Sequence, residues 1–177
     1  MRLDRGRAAL VVVDVQEAFR NVIPGFGGIA GKVATLVRGA RELGVPVLVT
    51  EQYPRGLGPT VPEVADHLPS PPRPFEKLRF SASEAEGFDL GGRDQALVCG
   101  IEAHVCVAQT ALDLIDAGVE VELAADAVGS RGEVDRDLAL RRLERAGAVL
   151  TTVEAALFEL LRGADAPEFK RVQELVK

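Results

Sequence analysis

The stretch Ala96-Leu97-Val98-Cys99-Gly100-Ile101-Glu102-Ala103-His104-Val105-Cys106-Val107 decides the reading of this chain. Its first half is a short apolar run bounded by a glycine, as in a strand buried on both faces. A sharp turn follows, and a helix opens near Cys106. A thiol at a helix N-terminus sits where backbone N–H groups and the helix dipole favour its anion. A cysteine in an apolar setting is more often a small buried hydrophobe, so the rest of the chain has to distinguish the two.

Working outward, Ala8 to Val13 is a second continuous apolar run, rich in valine, and it ends at Asp14. Val33, Leu36, Val37, Ala40 and Leu43 share one helical face, and Gly44 stops that helix. Val45 to Thr50 predicts the second strand and Phe75 to Phe80 a short third one, containing Lys77. After Cys106, Val107, Ala111, Leu114 and Ile115 mark a helix closed by Gly118. Val119 to Ala124 predicts a strand. Ser130-Arg131-Gly132-Glu133 has the spacing of a capping box opening a helix to Ala146. Ala148 to Thr152 predicts the last strand, with two short helical segments after it. Strands alternating with amphipathic helices predict a three-layer α/β/α fold: a Rossmann-like, doubly wound, mostly parallel six-stranded sheet in one domain over residues 1–177.

Between Glu51 and Pro74 the character changes. Seven of the ten prolines fall there, predicting a long irregular excursion with one helical turn near residues 63–67. Long loops inside compact domains are often functional.

The 177 residues are 47% hydrophobic, with a formal net charge of -6 and a pI near 5.1. Such a chain can build a sizeable core, and its charge favours neither nucleic acid nor an anionic membrane. Two cysteines in one strand-turn-helix unit cannot make a disulfide framework. No signal-peptide pattern or membrane-length apolar run is present. A cytoplasmic protein acting on a small molecule is expected.

In a doubly wound sheet, ligands bind at the carboxyl ends of the strands. Asp14, Lys77 and Cys106 all fall near such ends. Strands one and four can neighbour each other at the switch point, so Asp14 and Cys106 can meet. Asp14 could serve as a base and Lys77 could supply positive charge.

The motifs Val12-Val13-Asp14-Val15-Gln16 with Phe19, Phe75-Glu76-Lys77 with Phe80-Ser81, and Cys99 to Val107 occur in the order found in the isochorismatase-like cysteine hydrolase superfamily, which the chain resembles over almost its whole length. The run Thr50 to Glu63 resembles the isochorismatase domain-containing branch. The resemblance implies Cys106 as nucleophile, Asp14 as general base and Lys77 as electrostatic partner. It implies a non-proline cis peptide at Ile101-Glu102 and an oxyanion hole from the N–H groups of Glu102 and Cys106. The expected reaction is hydrolysis of a small amide-like C–N bond through a thioester. The alternatives are a non-catalytic binding or scaffold protein and an isochorismate-type vinyl ether hydrolase. Nicotinamidases of the superfamily carry an Asp-x-His metal motif. Here Glu51-Gln52-Tyr53-Pro54 stands in its place, and His67 and His104 are badly spaced for it, so no metal and no other cofactor is expected. Phe19, Tyr53, Phe80 and His104 are candidate pocket residues. The resemblance also implies a homo-oligomer, dimer or larger, through the helix after Cys106 and the Pro-rich excursion.

Overall fold

The computed structural model describes residues 2–177. Six strands form one sheet: β1 (Ala8–Val13), β2 (Val47–Gln52), β3 (Phe75–Lys77), β4 (Gln95–Ile101), β5 (Glu120–Gly129) and β6 (Val149–Thr151), in the order β3-β2-β1-β4-β5-β6. Every pair is parallel. All residues of β1 and β4 are buried, which is why both read as unbroken apolar runs and not as alternating ones.

Burial on two faces requires two cores. Leu10 and Val12 of β1, with Leu97, Cys99 and Ile101 of β4, point toward α1 (Phe26–Glu42), α6 (Val153–Leu161) and α7 (Phe169–Val176). Val11 and Val13, with Ala96 and Val98, point toward α4 (Ala108–Asp116) and α5 (Glu133–Ala146). Each fully buried Leu or Val contributes about 1.5–3 kcal/mol. The helices α2 (Pro54–Leu57) and α3 (Pro62–Ala65) are single turns within the Pro-rich excursion.

The structure moves several expected boundaries. α1 begins at Phe26 instead of near residue 32, because Phe26, Ala30, Val33 and Val37 continue one buried stripe across its glycines. β3 ends at Lys77, short of Phe80, where the chain turns back so that the Phe80 carbonyl accepts a hydrogen bond from Lys77 Nζ (2.9 Å). β5 runs on to Gly129, past a register shift opposite Val98 and Gly100. The excursion has two helical turns, not one. The expected capping box is absent: Gly132 occupies the N-cap of α5 without a side-chain cap, and the Ser130 hydroxyl is instead 3.0 Å from His104 Nδ1. A tertiary partner has taken the hydroxyl that the local pattern assigned to the helix.

Order reverses between β1 and β4, whose outward connections run to opposite sides of the sheet. That reversal opens a crevice at the carboxyl ends of these two strands. No helix among the described residues is long and apolar enough to cross a membrane.

Candidate active site

β1 delivers Asp14 one residue past its end. There φ is +53°, a left-handed conformation uncommon outside glycine and costing of order 1–3 kcal/mol where the surroundings enforce it. Its N–H donates to the Thr50 carbonyl (3.2 Å) and its own carbonyl accepts from the Gln16 N–H (2.9 Å). The carboxylate is fully buried and both oxygens are held: Thr50 Oγ1 donates to Oδ1 at 2.7 Å and Lys77 Nζ to Oδ2 at 2.7 Å. In-register pairing of β1 with β2, Val13 beside Thr50, puts that hydroxyl there.

Lys77 is buried too, with side-chain exposure of 1% against 0% for Asp14. A buried ammonium needs all its donors used. Here Asp14, Gln52 Oε1 (2.8 Å) and the Phe80 carbonyl surround it. Gln52 lies beside Lys77 because β2 and β3 pair in that register. Gln16 then ties Gln52 down: its Oε1 accepts from the Gln52 N–H (2.8 Å), and its Nε2 donates to the Gln52 (3.0 Å) and Gly58 (2.7 Å) carbonyls. Nearby, Glu51 Oε1 accepts from both the N–H and the hydroxyl of Thr60 (2.6 and 2.7 Å). Through Gln16 and Glu51 the Pro-rich excursion is fastened to the ends of the strands.

Gly100 explains how β4 comes so near Asp14. With φ at +120°, it presses against β1: a Cβ there would lie 2.0 Å from the Val13 carbonyl oxygen. Only glycine permits this approach. Beyond it the Ile101-Glu102 peptide is cis, as the resemblance implied. Residues Ala103–Val107 then form a wide five-residue turn, with the Val105 and Val107 N–H groups both donating to the Glu102 carbonyl, and regular helix begins at Ala108.

Cys106 therefore stands in the wide first turn of the helical segment that continues as α4. That position is near a helix N-terminus, as expected, but burial outweighs what the terminus offers the anion. Burial pushes the thiol up to about 12; the Asp14 carboxylate adds to the rise and Lys77 opposes it. All three side chains thus lie close enough to perturb one another, and the thiol rests protonated. Cys99 lies on the other face, wholly buried, its thiol raised by burial.

The other sequence candidates are distributed unevenly. Tyr53 lines a groove of about 310 Å³ with Arg55, Glu76, Lys77 and Leu78. Tyr53 and Phe80 are each about half exposed. Phe19 packs, half-buried, against the α1-side core. His104 is half-buried and engaged with Ser130. Sequence reasoning missed Gln16, Thr50, Glu51 and Gln52, whose only signal was a run of polar residues at the carboxyl ends of predicted strands. It also missed Arg131, whose Nε (3.0 Å) and N–H (2.9 Å) both donate to the buried carboxylate of Glu102. Among the described residues, no three His, Cys, Asp or Glu side chains converge where a metal ion could sit.

Comparison with known proteins agrees with this architecture. Residues 8–155 match the family described as Isochorismatase domain. The chain is 45% identical over 176 residues to isochorismatase domain-containing protein 2 of Bos taurus, covering 97% of this chain and 84% of that one. The structure of MAR1 ribonuclease from Caenorhabditis elegans superimposes with a TM-score of 0.93 at 41% identity, over 99% of this chain and 92% of that one. YcaC from Pseudomonas aeruginosa, solved with hexane-2,5-diol and covalent acrylamide, gives a TM-score of 0.87 at 29% identity, over 98% and 91%. A match across most of the chain, together with relatives this similar, shows that the protein belongs to the isochorismatase domain family.

Proposed function

We propose that the chain is a cysteine hydrolase that cleaves a small amide-like C–N bond with Cys106, Asp14 and Lys77. The observation that carries this reading is the buried Lys77–Asp14 pair set against a buried thiol. Burying two charges is costly, and a core of the same volume in apolar residues is often no less stable. A pair placed beside a nucleophile at the switch point has a chemical use.

Because the thiol rests protonated, the first step belongs to Asp14. Its carboxylate takes the Cys106 proton as sulfur attacks the carbonyl carbon, and Lys77 stabilises the transferred charge. The new oxyanion accepts hydrogen bonds from the N–H groups of Glu102 and Cys106. Collapse of the adduct breaks the C–N bond, and protonated Asp14 gives its proton to the leaving amine. Water, deprotonated by Asp14, then attacks the thioester; sulfur leaves and regains the proton. Tyr53, Phe80 and His104 would contact the substrate, with Phe19 behind the first turn.

Covalent acrylamide in the YcaC relative shows that a small amide-bearing electrophile can be captured on this fold. The relative named a ribonuclease raises RNA as a rival substrate, but a net charge of -6 gives a phosphate backbone little to hold. The test is a screen of small amides, ureido compounds, isochorismate-like ethers and an oligoribonucleotide. Cys106→Ala is expected to abolish turnover, and with it the single covalent adduct that intact mass spectrometry detects after a small electrophile. Full activity in that variant would end the covalent mechanism.

A further inference from the structure

The turn that carries Cys106 is held from outside its own stretch of chain. β4 and β5 stay paired to their ends, where Ile101 lies beside Gly129. The residues that follow β5 therefore leave alongside the turn, and two of them fasten it. Ser130, itself buried, has its hydroxyl 3.0 Å from His104 Nδ1. Arg131 donates to the Glu102 carboxylate twice, from its backbone N–H (2.9 Å) and from Nε (3.0 Å). The Glu102 side chain is 7% exposed and that of Arg131 63%. A carboxylate inside the protein is thus neutralised by one guanidinium reaching in from the surface. Buried charges need such a partner, and an apolar residue in the same place would need none.

The backbone of Glu102 is occupied on one side only. Its carbonyl accepts from the Val105 and Val107 N–H groups, while its own N–H donates to nothing among the described residues. An open N–H on a buried residue is rare and is free to receive a ligand oxygen. The reaction proposed above puts its oxyanion there. Two negative charges, the oxyanion and the Glu102 carboxylate, then lie within one side chain's length of each other. In a site screened little by water, that repulsion would oppose the reaction unless the carboxylate were paired.

We infer that Arg131 is a positioning residue for the oxyanion: by pairing with Glu102 it cancels the carboxylate's charge and fixes the residue whose N–H meets the developing negative oxygen. This role rests on the proposed reaction, with Cys106 as nucleophile. Arg131 acts through Glu102 and not on the reacting atoms. Asp14 and Lys77 are held by other partners, Thr50, Gln52 and the Phe80 carbonyl. Loss of Arg131 should therefore leave the proton transfer from Cys106 alone and tell only where a carbonyl oxygen takes up charge.

Two small reagents separate these steps. Acrylamide adds to Cys106 with charge on oxygen. Asp14 takes the thiol proton, sulfur bonds to the terminal vinyl carbon, the π electrons move to the carbonyl oxygen, and the enolate regains the proton at its α-carbon. Methyl methanethiosulfonate transfers its methylthio group to the same sulfur and expels methanesulfinate, with no carbonyl oxygen involved. The ratio of the two rates at Cys106 is read by intact mass spectrometry, with Cys106→Ala as the blank, and thiol ionisation cancels from it. Arg131→Met should lower the ratio by roughly tenfold or more. Made in Glu102→Gln, where no carboxylate charge remains, the same change should move it by less than about threefold. Should Arg131→Met fail to fold by circular dichroism, Arg131→Gln, which keeps a donor for Glu102, is read in the same way. An unchanged ratio in a folded Arg131 variant, or an equal fall in both backgrounds, would overturn the role of Arg131 and leave the nucleophile standing. If neither reagent modifies Cys106 in the wild-type protein, the nucleophile itself fails, and the role of Arg131 with it.

Discussion

At the scale of single residues, the site depends on two groups that leave Asp14 no free oxygen. Thr50 is one of them, and its contribution separates from that of Lys77 by a conservative change. Thr50→Val keeps the shape of the side chain and removes the donor to Oδ1. A buried carboxylate oxygen deprived of its partner costs about 2 kcal/mol. The urea midpoint should fall accordingly, with a loss of kcat that Thr50→Ser restores. Removing Lys77 is harsher, because Asp14 would remain buried without its countercharge. Lys77→Met is expected to cost about 3–5 kcal/mol by the same measurement. The protonation of Cys106 also has a visible outcome. Its alkylation by iodoacetamide should be slow near neutral pH and rise steadily above it, without a plateau before pH 9, because burial holds the thiol far above its ordinary value.

At the scale of elements, β1 and β4 matter most, and they meet at Gly100. Gly100→Ala sets a methyl carbon where the Val13 carbonyl stands, in a conformation that L-residues avoid. Either β4 withdraws or the end of β1 shifts, and both move Asp14 relative to Cys106. The variant should lose about 3 kcal/mol or more of stability and nearly all turnover, judged by thermal unfolding and by rate. These two strands were also the most legible part of the sequence, because burial on both faces leaves an unbroken apolar run that nothing else of that length imitates. The ends of elements were less legible. The α5 cap was misread because Ser130 has a partner 26 residues upstream in His104. The start of the helix near Cys106 was legible from the apolar spacing that runs on into α4, but the widening of its first turn left no local signal. Asp14, Lys77 and Cys106 could be named from strand ends and family resemblance. Thr50, Gln52 and Gln16 could not, because their roles follow from register, which is set by pairing across the sheet and not by neighbours along the chain.

At the scale of the whole molecule, one buried acid couples stability to pH. Glu122 on β5 is 1% exposed, and among the described residues neither carboxyl oxygen has a hydrogen-bond partner. Burial, reinforced by the charge of Glu159, pushes its carboxyl up to about 7. In the unfolded chain the same group titrates near 4.5, so between these values the folded state holds a proton that the unfolded state has lost. Stability is then fully present below about pH 4.5 and declines as pH rises through 7. The difference corresponds to roughly 3 kcal/mol for this group. Glu122→Gln should flatten the profile, leaving the variant more stable than wild type at pH 8 and with no such advantage at pH 4.5, as read from urea midpoints.

The two cysteines sit on opposite sides of one sheet, Cys99 sealed among α1-side residues and Cys106 beside Asp14 and Lys77 at the carboxyl ends of the strands. This gives the chain a built-in means of counting. A reagent small enough to enter the crevice meets one thiol per folded molecule, while the second becomes available only when the sheet comes apart. Label incorporated under native conditions, divided by label incorporated in denaturant, should approach one half for an intact preparation, and the departure from that ratio measures how much of any sample is competent before a substrate has been identified.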